Sequence, residues 1–197
     1  MPKPPSRLVV ASHNAGKIRE IGALLASLKV DVTSAAALGL AEPEETEDTF
    51  VGNAVLKARA AAAASGIAAL SDDSGLEVFA LGSQPGVVSA RWAGPDKDFG
   101  VAMARVEREL GVLEGADPGA RFVCVLALAT PDGLATTFEG ELRGRVSFPA
   151  RGTNGFGYDP IFVPDGFTST CGQMAPETKH RISHRAIAFQ KLLAFWS

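Results

Sequence analysis

The sequence predicts an α/β protein that folds as one domain over residues 1–197. Its length lies within the usual size of a domain and is sufficient to bury a hydrophobic core. Short apolar runs alternate along the chain with segments whose apolar residues recur at helical spacing. The sequence contains no internal repeat and no linker that would separate independent domains.

The predicted elements follow in chain order. Five apolar segments predict strands, and four segments with helical periodicity or capping signals predict helices. The cluster 72–75 is rich in turn-forming residues and predicts a turn after the third strand. Strands are expected at 7–12, 30–33, 67–71, 121–130 and 135–145, and helices at 17–28, from Thr49 or Asp48 to about Ser65, 96–110 and 183–196.

Composition excludes several classes of protein. The chain is 46% hydrophobic and 21% charged, which predicts a folded protein rather than a disordered one. A net charge of −3 and a pI near 5.6 give no electrostatic footprint for nucleic-acid binding. No apolar run is long enough for a signal peptide or a membrane span. We therefore expect neither a nucleic-acid nor a membrane partner.

The two cysteines, Cys124 and Cys171, form no CxxC pair and are too few for a disulfide framework. A reduced, cytoplasmic setting fits them best. Cys124 lies inside the apolar run 122–129, where we expect a small buried hydrophobe without a functional role.

The first candidate site is the loop Ser12-His13-Asn14-Ala15-Gly16-Lys17, between the first strand and the first helix. Its backbone N–H groups, the helix N-terminus and Lys17 are placed to bind phosphate oxygens. It is not a Walker loop, because Ala11 and Ile18 replace the first glycine and the Mg²⁺-binding hydroxyl of that motif. An ordinary Asn/Gly turn with a solvated lysine is the alternative.

Two acidic pairs, Glu44-Glu45 and Asp72-Asp73, are candidate ligands of Mg²⁺, which prefers oxygen ligands. A solvated acidic loop is the alternative for the first pair. Asn53 and Lys57 share one face of the predicted second helix. That face either belongs to the candidate binding site or is a solvated polar stripe. The loop 152–160 is another candidate, because its glycines and aromatic rings are suited to binding a nucleotide base, with a tight structural turn as the alternative. The last candidates are Lys179, Ser183, His184 and Arg185, which can donate hydrogen bonds to a ligand.

Together these segments resemble the inosine/xanthosine triphosphate pyrophosphatase family, the Ham1-like enzymes that act on noncanonical purine nucleotides. The resemblance runs from Val9 to Leu193 and leaves out the Pro-rich start and residues 112–120. Its motifs occur in consistent order as SHNAGKIREI, EETEDTFVGNAVLKA, SDDSGLEV, PGVVSARWAG, RFVCVLALA, GTNGFGYDPIF and KHRISHRAIA.

The resemblance implies an elongated, two-lobed α/β domain around a long mixed β-sheet, with a central active-site cleft, and a homodimer. It also implies hydrolysis of ITP, dITP or XTP to a monophosphate and pyrophosphate with Mg²⁺, thereby removing deaminated purines from the nucleotide pool. Asp73 and Lys17 would be catalytic, and Glu44, Glu45, Asp72 and Asp73 would manage the metal. His13 occupies a variable motif position and receives no separate role. The residues implied in substrate binding are Ser12, His13, Asn14, Ala15, Gly16, Lys17, Lys57 and Ser74 for the phosphates, and Phe156, Gly157, Tyr158, Asp159, Lys179, His184 and Arg185 for the base.

Two other functions are compatible with parts of the sequence. A Maf-like pyrophosphatase would act on modified pyrimidine or other nucleotides, but the SHNxGK and SHR motifs argue against it. A nucleotide-sensing module would bind without turnover. The paired acids argue against that reading, because negative charge beside a triphosphate is of little use to a pure binder unless a metal is present.

Overall fold

The structure is a computed structural model that describes residues 2–26 and 28–197. Five α-helices and seven strands occur in these residues, together with five short 3₁₀ segments. The strands are β1 Arg7–Ala11, β2 Asp31–Ser34, β3 Ala69–Val78, β4 Gln84–Pro85, β5 Gly119–Ala129, β6 Ala135–Val146 and β7 Phe162–Pro164. The helices are α1 Ala15–Leu25, α2 Phe50–Ser65, α3 Phe99–Gly111, α4 Pro176–Ile182 and α5 His184–Trp196. The 3₁₀ segments are Phe79–Leu81, Gly86–Val88, Arg91–Ala93, Asp159–Ile161 and Cys171–Gln173.

The strands form one mixed sheet in the order β2-β1-β3-β5-β6-β7, with β4 paired to β3. Strand β1 lies parallel to both β2 and β3, whereas β4 is antiparallel to β3 and β7 is antiparallel to β6. Parallel neighbours at β1 require crossover connections, which α1 and α2 provide. The predicted α/β class is therefore confirmed, and the sheet is mixed as the resemblance implied.

Contacts divide the chain into two units. The first unit comprises Met1–Asp73, Cys124–Gly140 and Arg185–Ser197, and the second comprises Ser74–Val123 and Glu141–His184. Each unit has its own hydrophobic core. The core of the first unit includes Leu8, Ile21, Leu70, Leu126, Phe189 and Leu192. The core of the second includes Leu76, Trp92, Val106, Phe122, Ile161 and Phe162.

Local capping explains where the helices near the candidate site begin and end. The Thr49 hydroxyl accepts a hydrogen bond from Gly52 N at 3.0 Å and starts α2, as predicted. Gly66, with φ 67°, ends the same helix in the left-handed conformation. Asn14 caps α1, so this helix begins two residues earlier than the periodicity of its apolar side chains indicates.

The predicted turn at 72–75 is wrong, because β3 runs without interruption from Ala69 to Val78. Asp and Ser favour turns when their side chains bond to nearby backbone. Here the carboxylates of Asp72 and Asp73 are buried and have lysine partners, so tertiary contacts override local preference. Neighbouring side chains in a strand point to opposite faces, which gives the two acids different surroundings.

The C-terminal region contains two helices where one was predicted. Ser183 has an extended backbone, with φ −65° and ψ 149°, and it separates α4 from α5. The β5–β6 connection agrees with the predicted hairpin, since Thr130 N donates to Leu134 O at 2.9 Å across the loop. No helix within residues 2–26 and 28–197 is long and apolar enough to cross a membrane.

Candidate active site

The loop between β1 and α1 places Lys17 in the first turn of a helix. The Asn14 side chain accepts hydrogen bonds from Gly16 N at 2.9 Å and Lys17 N at 3.2 Å. Asn14 N in turn donates to the Ser12 hydroxyl at 3.2 Å. The positive end of the helix and a lysine thus lie together, an arrangement that favours a bound anion. Ala15 is the first residue of the helix.

Lys17 is not a solvated lysine, because its ammonium contacts a buried carboxylate. Lys17 Nζ lies 2.6 Å from Asp72 Oδ1. The other oxygen, Asp72 Oδ2, accepts from Arg185 Nε at 2.7 Å and from the Cys124 thiol at 3.1 Å. Arg185 also pairs with Glu20, one turn after Lys17 in α1. Asp72 therefore links α1 to β5 and α5.

Electrostatics fix the protonation of this buried group. Burial opposes ionisation of Asp72, but Arg185 and Lys17 hold its pKa well below the usual value. Burial, followed by the charge of Asp72, raises the pKa of the Cys124 thiol well above its usual value. Asp72 is thus an anion, and Cys124 is a protonated thiol that donates to it.

A second charged group surrounds Lys57 on α2. Lys57 Nζ donates to Glu45 Oε1 and to Asp73 Oδ1, both at 2.6 Å, and only 6% of its side chain is exposed. Asn53 fastens the acidic loop to the same helix, with hydrogen bonds of 3.0 Å in both directions to the backbone of Glu47. The predicted polar face of α2 is therefore buried here rather than solvated.

The two carboxylates that share Lys57 differ in basicity. Burial raises the pKa of Asp73 to about 6, although Lys57 and Lys17 act in the opposite direction. Burial also opposes ionisation of Glu45, but Lys57 brings the pKa of Glu45 below its usual value. Burial would lower the pKa of Lys57, yet Asp73 and Glu45 raise it, so the ammonium stays charged. Asp73 is consequently the carboxylate with a basicity suited to proton transfer near neutral pH.

One carboxylate oxygen of Asp73, Oδ2, is buried and has no hydrogen-bond partner in the described residues. No cluster of three or more His, Cys, Asp or Glu side chains occurs in those residues in an arrangement that would hold a metal by itself. Mg²⁺ is commonly held by one or two carboxylates with water and substrate phosphates, and Glu45 with Asp73 matches that donor set.

Three other predicted site residues, Glu44, His13 and Ser74, have different surroundings. Glu44 is exposed. His13 contacts the acidic loop, with Nε2 3.0 Å from Leu40 O and Nδ1 3.8 Å from the Glu42 carboxylate. Ser74 follows Asp73 in β3 and is half-buried.

In the second unit, the loop 152–160 brings an acid, a lysine and an aromatic ring together. Asp159 Oδ2 accepts from Lys179 Nζ at 2.7 Å and from Phe156 N at 2.8 Å. Lys179 Nζ also lies 4.8 Å from the centre of the half-buried Phe156 ring. Gly155 has φ 76°, and a Cβ there would collide with the Asp159 carboxylate. The loop thus needs glycine at this position to keep its acid in place.

Tyr158 and His184 support this loop from the core. Only 3% of Tyr158 is exposed, and its hydroxyl donates to Ser89 O at 2.9 Å, while its ring meets Phe99 edge-on. His184 stacks on Phe122 with ring centres 5.0 Å apart. The ring of Tyr158 is therefore almost fully buried, whereas that of Phe156 is only half-buried. Gly157, between them, has φ 67°.

Arg185, which the resemblance implied for the base pocket, has its guanidinium buried on Asp72 and Glu20. Sequence reasoning missed Glu20 and Cys124. The position of Glu20, three residues after Lys17 on one helical face, is a usable signal for the first. Cys124 is buried as predicted, but its thiol also bonds to an acid.

Comparison with known proteins gives the family. The model of the Ham1 family matches residues 8–195. A dITP/XTP pyrophosphatase of Rhodospirillum centenum is 60% identical over 95% of this chain and 93% of its own length. One of Caulobacter vibrioides is 55% identical over 96% and 97%, respectively. A HAM1 protein from Coxiella burnetii superposes with a TM-score of 0.89 at 37% identity, covering 96% of this chain and 97% of that one. The Staphylococcus aureus Ham1 protein gives 0.85 at 39% identity, with the same coverage. The chain therefore belongs to the Ham1 family.

Proposed function

We propose that this protein is a nucleoside triphosphate pyrophosphatase that hydrolyses deaminated purine nucleotides, namely ITP, dITP and XTP. Each turnover consumes one water and yields the nucleoside monophosphate and pyrophosphate. The observation that carries the proposal is Asp73, a buried carboxylate with a raised pKa and a free oxygen, beside Lys57 and Glu45. The names of the relatives support the substrate class.

In this mechanism Asp73 acts as the general base. It orients a water molecule for attack on the α-phosphorus and accepts a proton from it as the new P–O bond forms. The bond from the α-phosphorus to the bridging oxygen breaks, and pyrophosphate leaves intact. The pKa of the Asp73 carboxyl, about 6, leaves this group ionised at neutral pH but basic enough to take the proton.

Lysine side chains offset the charge that accumulates during the reaction. Lys17, at the start of α1, is assigned to the triphosphate together with the N-terminus of that helix. Lys57 holds Asp73 and Glu45 in place and keeps their combined charge from repelling the substrate. We assign Mg²⁺ to Glu45 and Asp73 rather than to Asp72, whose two oxygens already have three donors. When bound, the ion would neutralise phosphate charge and help to orient water.

The second unit is assigned to base selection. The Lys179 ammonium can donate to the 6-carbonyl of hypoxanthine or xanthine, while the face of Phe156 can stack on the ring. Adenine presents an amino donor at that position. An unpaired buried donor costs about 1–3 kcal/mol, so such a mismatch selects against ATP by about 5- to 150-fold.

A turnover panel tests this function. ITP, dITP, XTP, ATP and GTP are incubated with the protein and Mg²⁺, and pyrophosphate is measured separately from orthophosphate. We expect pyrophosphate and monophosphate from the deaminated substrates, with ATP and GTP much slower. Stepwise release of orthophosphate through a diphosphate would overturn the proposal.

We also propose a homodimer that acts in the cytoplasm. Cys124 and Cys171 are buried and form no disulfide in the described residues, which is compatible with a reducing compartment. The second unit exposes apolar side chains at Val101, Val112 and Leu113, in and just after α3, which is the kind of surface that a second copy covers. Light scattering coupled to size-exclusion chromatography tests the dimer, and a mass of one chain, 20.5 kDa, would contradict it.

A further inference from the structure

Cys124 combines complete burial with a polar contact. It lies in β5 within the core of the first unit and has no exposed surface. Its sulfur lies 3.1 Å from Asp72 Oδ2, and the thiol is the donor because an ionised carboxylate can only accept. A residue needed only for packing would not require a donor at this place.

The Asp72 carboxylate is the group that orients Lys17. Its Oδ1 lies 2.6 Å from Lys17 Nζ, and its Oδ2 receives Arg185 and Cys124. The terminal torsion of an aspartate is broad, so the plane of a carboxylate is poorly fixed by its own rotamer preference. Two donors on Oδ2 from different elements, β5 and α5, restrict that plane. Rotation of the carboxylate would move Oδ1, which is the nearer acceptor of the Lys17 ammonium, since the backbone oxygen of Asp72 lies at 3.4 Å.

We propose that Cys124 is a positioning residue, whose thiol fixes the Asp72 carboxylate and thereby the Lys17 ammonium that meets the triphosphate. The proposal rests on the assignment of Lys17 to the triphosphate made above. Cys124 itself touches neither substrate nor metal in this scheme. Asp72 and Lys17 keep their charges when the thiol is removed, so the expected loss is one of geometry rather than of electrostatic attraction.

Substitutions at this one position separate the donor from the packing. Cys124→Val fills the space without a donor and suits a strand, whereas Cys124→Ser keeps a donor. Cys124→Ala removes the donor with less bulk and replaces the valine variant if that one fails to fold. Leu126→Val is the matched control, since Leu126 lies two residues on, on the same face of β5, in the same core and outside the charged group.

The first readout is steady-state hydrolysis of ITP with saturating Mg²⁺. We expect kcat of Cys124→Val and Cys124→Ala to fall about three- to tenfold, the equivalent of one ordinary hydrogen bond. KM should change less than about twofold, because the charges are retained. Cys124→Ser should recover kcat to within about twofold of wild type, and Leu126→Val should keep it.

The second readout does not depend on catalysis. In protein labelled at lysine Cε with ¹³C, the signal lost in Lys17→Met identifies Lys17. We expect this signal to shift or broaden in Cys124→Val and to stay at the wild-type position in Cys124→Ser and Leu126→Val. A wild-type protein that fails to hydrolyse ITP would overturn the proposed function but leave this readout intact.

Three outcomes would overturn the positioning role. One is a folded Cys124→Val protein with wild-type kcat and an unmoved Lys17 signal. Another is a serine variant impaired as strongly as the valine variant, which would show that the donor is irrelevant. The third is a Leu126→Val protein with the same loss, which would make packing the cause.

Discussion

Replacing Asp73 by asparagine removes a charge while keeping the shape of the side chain. In the wild-type protein only 6% of the Asp73 side chain is exposed, and one oxygen contacts Lys57 while the other has no partner among the described residues. Burial raises the pKa of Asp73 to about 6 even with Lys57 at 2.6 Å. Ionised Asp73 is therefore held at a cost to the folded state.

The pKa shift gives the size and sign of that cost. The folded carboxyl binds its proton more tightly than the unfolded one, whose pKa is near the ordinary value of 3.8. Stability from this group is therefore greatest at low pH and declines as pH rises from about 4 to about 6. The difference between a pKa of about 6 and one of 3.8 corresponds to about 3 kcal/mol at pH 8, as an upper value. Asp73→Asn should recover part of it, reduced by the loss of one partner of Lys57.

Asp73→Asn should lower the rate of catalysis, although it recovers stability. Loss of a general base typically lowers turnover about 10²–10⁴-fold, and loss of a metal ligand would move the deficit toward the upper end. Wild-type kcat should decline at acid pH as Asp73 becomes protonated, with a midpoint below about 6, because bound Mg²⁺ favours the ionised carboxylate. Asp73→Asn should not show this decline of kcat at acid pH. Binding of ITP should survive better than turnover, because the phosphate loop lies on other residues.

Urea unfolding without divalent ions at pH 8 and pH 4, together with kcat at saturating Mg²⁺, tests both effects. We expect Asp73→Asn to be at least as stable as wild type at pH 8, with a smaller difference at pH 4. A variant less stable by more than about 1 kcal/mol at pH 8 would show that the charge stabilises the fold. Retention of more than about a tenth of wild-type kcat would show that Asp73 is not the general base.

Further expectations concern the neighbouring groups. Lys17→Met should stay folded but lose about 10- to 100-fold in kcat/KM for ITP, because a charged hydrogen bond to phosphate is removed. Lys191 is exposed, and Lys191→Met is the control that should match wild type. Glu45→Gln should raise the Mg²⁺ concentration needed for half-maximal rate, and an unchanged Mg²⁺ titration would exclude Glu45 as a ligand. Gly155→Ala should lower the free energy of unfolding by about 1–3 kcal/mol, measured in urea, since φ is 76° and the methyl group meets Asp159, whereas wild-type stability would refute this account of the loop.

Much of this arrangement could be predicted from local patterns. Periodicity and capping signals located α2 between Thr49 and Gly66, and the order of apolar runs predicted the strands that follow and precede it. These features depend on residues a few positions apart. The family motifs likewise identified Lys17 and Asp73 as candidates before any geometry was known, although their roles in turnover stay predictions.

The rest depends on residues far apart in the sequence. Arg185 reaches Asp72 across 113 positions, and Cys124 reaches it across 52. No local pattern reports such a pairing, so Arg185 was assigned to the base and Cys124 to packing alone. The same contacts keep residues 72–75 in a strand, against their turn-forming composition. Buried charge pairs override local propensity here because an unpaired buried carboxylate would be far more costly than an unfavourable turn preference.

In the proposed mechanism, water attacks the α-phosphorus and pyrophosphate leaves intact. Hydrolysis of ITP in ¹⁸O-labelled water with Mg²⁺, followed by mass spectrometry of both products, tests it most directly. The account predicts one ¹⁸O atom in the nucleoside monophosphate and none in the pyrophosphate. Label in the pyrophosphate would place the attack on the β-phosphorus, and labelled orthophosphate would indicate stepwise removal from the γ end. Either result would contradict the mechanism.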